Sequence, residues 1–132
     1  MDTVSKYRVW ETIVSRADRL LLESLVVADG FTVLVEAASG GIARRVEFVF
    51  ERVAGHRCLN DDICLSFWNG INERQSWTMI GSDDLWIDPL SEREPLLRQH
   101  YPGVRHYIVA TEDEVIEILA DEEPEVRSLE GH

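Results

Sequence analysis

The stretch from Leu22 to Phe50 constrains the fold more than any other. Its first part, LESLVVADGFTVLVEAA, places two runs rich in β-branched residues on either side of Asp29-Gly30. Asp-Gly suits a tight two-residue turn, because both central positions of such a turn need positive φ. The spacing predicts strands at about 22–28 and 31–38, and Ser39-Gly40-Gly41 supplies a second turn. In RRVEFVFERV, Val46, Phe48 and Phe50 alternate with Glu47, Val49 and Glu51, so one face is apolar and the other mixed. Three successive strands joined by short turns define an antiparallel meander.

The rest of the chain is assigned around that meander. Val4, Tyr7, Trp10, Ile13, Val14 and Ala17 recur at spacings of three and four, which predicts an N-terminal helix over residues 3–19, capped by Thr3 or Asp2. Asp62 can cap a short helix through ICLSFWNG that ends at Gly70, with a strand as the rival assignment. SWTMIGSD, about 76–83, reads as a strand. A second short helix runs from Pro89 to His100, with Leu90, Leu97 and His100 inward, and Pro102-Gly103 ends it. HYIVAT and VIEILA form a last strand pair around Glu112-Asp113-Glu114, and Pro124 closes the structured part. The expected fold class is therefore α+β: one domain over residues 1–124, with an antiparallel sheet of about six strands, an N-terminal helix and two shorter helices. Residues 125–132 are expected to form an acidic C-terminal tail.

Charge narrows the partners. The 132 residues hold 13 basic and 25 acidic side chains, a formal net charge of −12. Such a chain is not expected to bind nucleic acid, which needs a basic face, nor an anionic membrane surface. It suits a basic protein partner. The charge is uneven: residues 111–132 hold nine acidic residues and one basic residue. That end is either a solvated acidic pole or a docking surface. No apolar run reaches the roughly 18 residues a membrane helix needs. MDTVSKYRVWETIV lacks the pattern of a signal peptide, so a cytoplasmic home with reduced thiols is expected.

The densest cluster of reactive residue types is GHRCLNDDICLSFWNG. His56, Cys58 and Cys64 have the spacing H-x-C-x5-C, without the closely spaced pairs that zinc sites use, and a fourth ligand would have to come from His100 or His106. Cys58 and His56 would share one face of a strand, yet nothing around Cys58 marks a nucleophile. Scaffold is the better reading: the cysteines act as small hydrophobes, GHRCL continues the third strand or its exit, and Asp61-Asp62 turns the chain. Gly-rich phosphate loops and the G-x-S-x-G context are missing from the sequence, so no cofactor and no metal is expected. A pocket in which His56, Cys58, His106 or the aspartates converge is the alternative, with small-molecule or metal binding and enzymatic chemistry.

Trp68, Trp77 and Trp86 fall close to Asp83, Asp84 and Asp88. Aromatics mixed with carboxylates can form a hot spot for a basic surface. Trp77 alternates with Met79 and is expected inside, which leaves SDDLWID, and in it Asp83, Asp84, Trp86 and Asp88, as the candidate partner-binding patch. The stretches VEFVFERVAGHRCLNDD and RHYIVATEDEVIEILADEEPEV resemble a widespread class of small acidic, uncharacterised bacterial proteins, some of them similar to immunity proteins encoded near toxins. The resemblance implies a non-enzymatic bacterial protein and assigns no functional residue. The function expected is thus a protein-binding module, such as an immunity-like inhibitor of a basic toxin. Self-association as a homodimer, through an edge strand or an apolar sheet face, is a further alternative.

Overall fold

The computed structural model describes residues 6–60 and 76–129. The meander forms as the sequence implies. Strands β2 (Arg19–Val27), β3 (Phe31–Ser39) and β4 (Ile42–Phe50) pair antiparallel in order. Gly40 and Gly41, at φ 59° and 81°, make the two-residue turn between Ser39 and Ile42. The other loop is one residue longer than expected. Val27 pairs with Phe31, so Ala28 joins Asp29 and Gly30, at φ 50° and 124°. Gly30 is required there twice over, by its φ and by its contact with the end of β4. A Cβ on it would lie 2.5 Å from the Phe50 carbonyl oxygen.

The architecture is β-rich, and the α+β expectation is corrected. Nine antiparallel strands form two sheets among the described residues, where about six strands in one sheet were expected. The five-stranded sheet has the order β1-β6-β7-β8-β5, from β1 (Tyr7–Val9), β5 (Gly55–Asn60), β6 (Thr78–Gly81), β7 (Arg105–Ala110) and β8 (Glu114–Ala120). The four-stranded sheet is the meander extended by β9 (Glu125–Leu129). Their facing sides share one apolar layer. Phe31, Val33, Val35, Val46, Phe48 and Phe50 meet Ile80, Tyr107, Val109, Ile116 and Ile118, all of them buried. Trp10 packs into the same layer, with its ring 5.8 Å from Phe48 and 5.0 Å from Tyr107. Burying a large side chain of this kind contributes about 1.5–3 kcal/mol, so this layer is the main stabilising element.

The outer face of the five-stranded sheet is also apolar. Helices α1 (Ile87–Arg93) and α2 (Leu96–His100) cover it, with a 3-10 turn at Asp83–Leu85. One helix over 89–100 was expected. Pro95 divides it, because proline has no amide to donate and clashes with the preceding turn. Leu97 is buried as expected, whereas His100 is exposed.

Three further expectations are corrected. No helix forms among residues 6–19; Tyr7–Val9 pairs with β6 and a series of turns follows. Hydroxyl groups compete with helix formation there. Ser15 Oγ donates to the Trp10 carbonyl at 3.0 Å, Thr12 N donates to Ser15 Oγ at 2.8 Å, and Thr78 Oγ1 donates to the Trp10 carbonyl at 2.6 Å. GHRCLN does not continue β4. It is β5, an edge strand of the opposite sheet paired with β8. Glu125–Leu129, read as tail, is β9, with Val126 packed against the core while Arg127 bonds Glu47 and Glu125. The segment assigned as helix or strand at 62–70 lies outside the described residues, with Asp61, Asp62, Cys64 and Trp68. No helix among the described residues is long and apolar enough to cross a membrane.

Gly30→Ala is expected to lower stability by about 2–3 kcal/mol, since both strain and collision oppose it. Gly40→Ala, where nothing lies within 4 Å of the new Cβ, should cost only about 1 kcal/mol. Urea denaturation of the two variants checks the difference; equal losses would contradict the close packing of Gly30 on β4.

Candidate functional site

A charged group sits inside the apolar outer face of the five-stranded sheet. Glu117 lies mid-way along β8, flanked by buried Ile116 and Ile118. The register sets Arg57 of β5 opposite it on one side and Ile108 of β7 on the other. Arg57 grips the carboxylate in a fork, Nε to Oε2 at 2.7 Å and Nη2 to Oε1 at 3.0 Å. His106, wholly buried near the start of β7, places Nε2 2.7 Å from Oε1 of the same carboxylate. Burial alone would raise the Glu117 pKa. The hydrogen bonds from His106 and Arg57, with the Arg57 charge, outweigh it and hold the carboxyl below its ordinary value. An ionised carboxylate only accepts, so His106 Nε2 carries the proton.

Trp86 roofs the group. The Arg57 guanidinium lies 4.0 Å from the centre of its ring, and the His106 ring meets its edge at 5.3 Å. Gly81 forms the floor: a Cβ there would collide with His106 Nδ1. Nδ1 has no hydrogen-bond partner. With Nε2 on the carboxylate and Gly81 against Nδ1, the ring is held in one orientation. Histidine beside glutamate can serve proton transfer. Here the carboxylate is 8% exposed and the imidazole 0%, so the pair is sealed and its effect is to fasten β5, β7 and β8 beneath Trp86.

The residues singled out from sequence lie elsewhere or act otherwise. Asp83, Asp84 and Asp88 are exposed, but each faces a cation of its own chain. Asp84 accepts from Lys6 and Ser82, which lowers its pKa in that order of effect. Asp88 lies 2.6 Å from Arg98 and Asp83 3.9 Å from it. Trp86 is turned onto Arg57 and His106. His56 is exposed and stacks on Phe31 at 4.5 Å, and Cys58 is exposed beside it. These two project from the face of the sheet opposite to His106, as their pairing with Ile118 and Ile116 requires. The structure thus does not bring His56, Cys58 and His106 together, and no metal-holding group of three His, Cys, Asp or Glu occurs among the described residues. Sequence reasoning missed Glu117 and Arg57. The only signal was one acidic residue inside the otherwise apolar VIEILA.

Two clefts open at one end of the sandwich, where β4, β6 and β8 finish and β7 and β9 begin. One, of about 270 Å³, is lined by Val49, Glu51, Glu122, Glu123, Glu125 and Arg127. Its single arginine is already bound to Glu47 at 2.6 Å and Glu125 at 2.9 Å. Among the described residues, Glu51, Glu122 and Glu123 have no cationic partner, so the cleft is strongly negative. The other, of about 350 Å³, holds Arg8, Ser82, Asp83 and Arg105 over Ile80. The chain matches no family model, no curated protein and no solved structure.

Glu117→Gln is expected to cost about 2 kcal/mol at neutral pH, by weakening two charge-assisted bonds. The sign of the pH effect follows from the lowered folded-state pKa. The stabilisation is complete above the unfolded value of about 4.3 and fades as pH falls through the folded value. Urea unfolding at a series of pH values should therefore show the gap between wild type and variant closing on acidification. A gap that stays constant into strong acid would contradict the assignment.

Proposed function

We propose that this chain is a non-enzymatic protein-binding module that takes a basic partner, most concretely an immunity-like inhibitor that occludes a basic protein. The observation that carries the reading is the glutamate cleft. Glu51, Glu122 and Glu123 line one cleft with no cationic partner among the described residues, whereas Glu11, Glu23, Asp84 and Asp88 each hold a cation. Repulsion among them is relieved when a Lys- or Arg-bearing surface docks, and Val49 supplies an apolar contact in the same cleft. The sealed histidine–glutamate pair supports the non-enzymatic reading, because no substrate can reach it. The docking surface then centres on this cleft rather than on Asp83, Asp84, Trp86 and Asp88, whose charges and ring are engaged within the chain.

A defined basic peptide, octalysine, separates the two surfaces. Binding measured by titration calorimetry at low salt should weaken about tenfold in the combined variant Glu51→Gln, Glu122→Gln, Glu123→Gln, as three exposed pairs of up to about 0.5 kcal/mol each would give. The variant Asp83→Asn, Asp84→Asn, Asp88→Asn should change it less than about twofold. Equal losses in both would show attraction to net charge alone and remove the cleft from the account. Binding that ignores salt would remove its electrostatic basis.

A further inference from the structure

We infer that the cleft holding Arg8 and Arg105 is a binding site for a compact anion bearing a carboxylate or phosphate group. The inference is independent of the basic-partner reading. It starts from where the cations of this acidic chain are spent. Of the described basic side chains, Lys6, Arg16, Arg19, Arg45, Arg57, Arg98 and Arg127 sit on carboxylates. Arg44 and Arg52 donate to backbone carbonyls. Arg8, Arg93 and Arg105 have neither kind of partner among the described residues, and two of these three line one cleft. Although carboxylates are in such excess, these two guanidinium groups share a cleft with no carboxylate paired to either among the described residues, so their donors are open to a bound anion.

The cleft is built rather than incidental. Arg8 lies opposite Ile80 in the β1–β6 register, and Ile80 lies opposite Tyr107 in the β6–β7 register. Arg105 precedes Tyr107 by two residues, so its side chain leaves the same face of the sheet. The two arginines therefore flank an apolar floor made by Ile80. Tyr107 is 1% exposed, and the positive charges of both Arg105 and Arg8 act on it, which puts the two guanidinium groups on its side of the sheet. Gly103, at φ 78° and with open space where a Cβ would be, leaves bare backbone at the rim. Asp83, the one acid lining the cleft, is drawn toward Arg98. The space between the two arginines is about 350 Å³, which favours one compact anionic head over an extended polyanion. Paired guanidinium forks match both carboxylate and phosphate oxygens.

The test is an amide chemical-shift titration of the full chain with inorganic phosphate and, separately, succinate. Wild type should show saturable shifts centred on Gly81, Ser82 and Gly103, with a dissociation constant of order millimolar. Tighter binding of phosphate assigns a phosphoryl ligand, and tighter binding of succinate a carboxylate ligand. Arg8→Gln and Arg105→Gln should each weaken binding about tenfold. Arg93→Gln, which removes the third unmatched arginine outside the cleft, should leave it unchanged. The Arg8 side chain makes no hydrogen bond among the described residues, so its variant keeps the test valid if Arg105→Gln disturbs Tyr107. No saturation by either anion up to about 20 mM would overturn the inference. So would an equal loss in the Arg93 variant.

Discussion

The apolar layer shared by the two sheets is the constraint on which the rest depends. Neither sheet is stable with that face open to water. Trp10 reaches both of its sides, touching Phe48 of one sheet and Tyr107 of the other. Because Tyr107 is held there, Arg105 is held at the cleft mouth. Because β8 is held there, Glu117 faces the opposite side and must be neutralised under the helices. The charge chemistry of the molecule is thus set by which strand positions the shared layer claims.

Those claims also explain what could be read in advance. The meander was legible because β3 and the second half of β4 alternate and each turn carries its own glycine signal, while β2, irregular between Leu22 and Ser24, was read from its β-branched residues and its place before Asp29-Gly30. Phe31, Val33, Val35, Val46, Phe48 and Phe50 all face inward as the alternation requires. Strand β5 was not legible, since an edge strand exposed at His56, Arg57, Cys58 and Leu59 shows no alternation. Strand β9 was hidden by composition: its period-2 pattern rests on Val126 alone, inside an acidic run. At the N-terminus the spacing of Tyr7, Trp10, Val14 and Ala17 does mark burial. It arises from a short strand and hydroxyl-stapled turns, which local periodicity cannot distinguish from a helix. The Glu117–His106–Arg57 group needed the register of three strands, and register is not written in any one of them.

The long acidic C-terminal run takes on a different meaning in this fold. As a solvated tail it would spread its charge through a mobile ensemble. As a connection and an edge strand it holds Glu122, Glu123 and Glu125 against Glu51 at a fixed place, a few residues from Arg105. A negative cleft and a positive cleft then share one end of the sandwich. That juxtaposition gives a protein of net charge −12 an orientation-dependent surface that net charge alone would not provide.

The account rests on the docking of β9, since without it the glutamate cleft has no wall. Hydrogen exchange of the backbone amides over residues 125–129 measures this directly. Amides pointing at β4 should be protected well above the rate of an unstructured peptide, alternating with unprotected ones along the strand. Uniform exchange at the unstructured rate would mean that the segment is a tail, and would contradict the cleft and the function built on it.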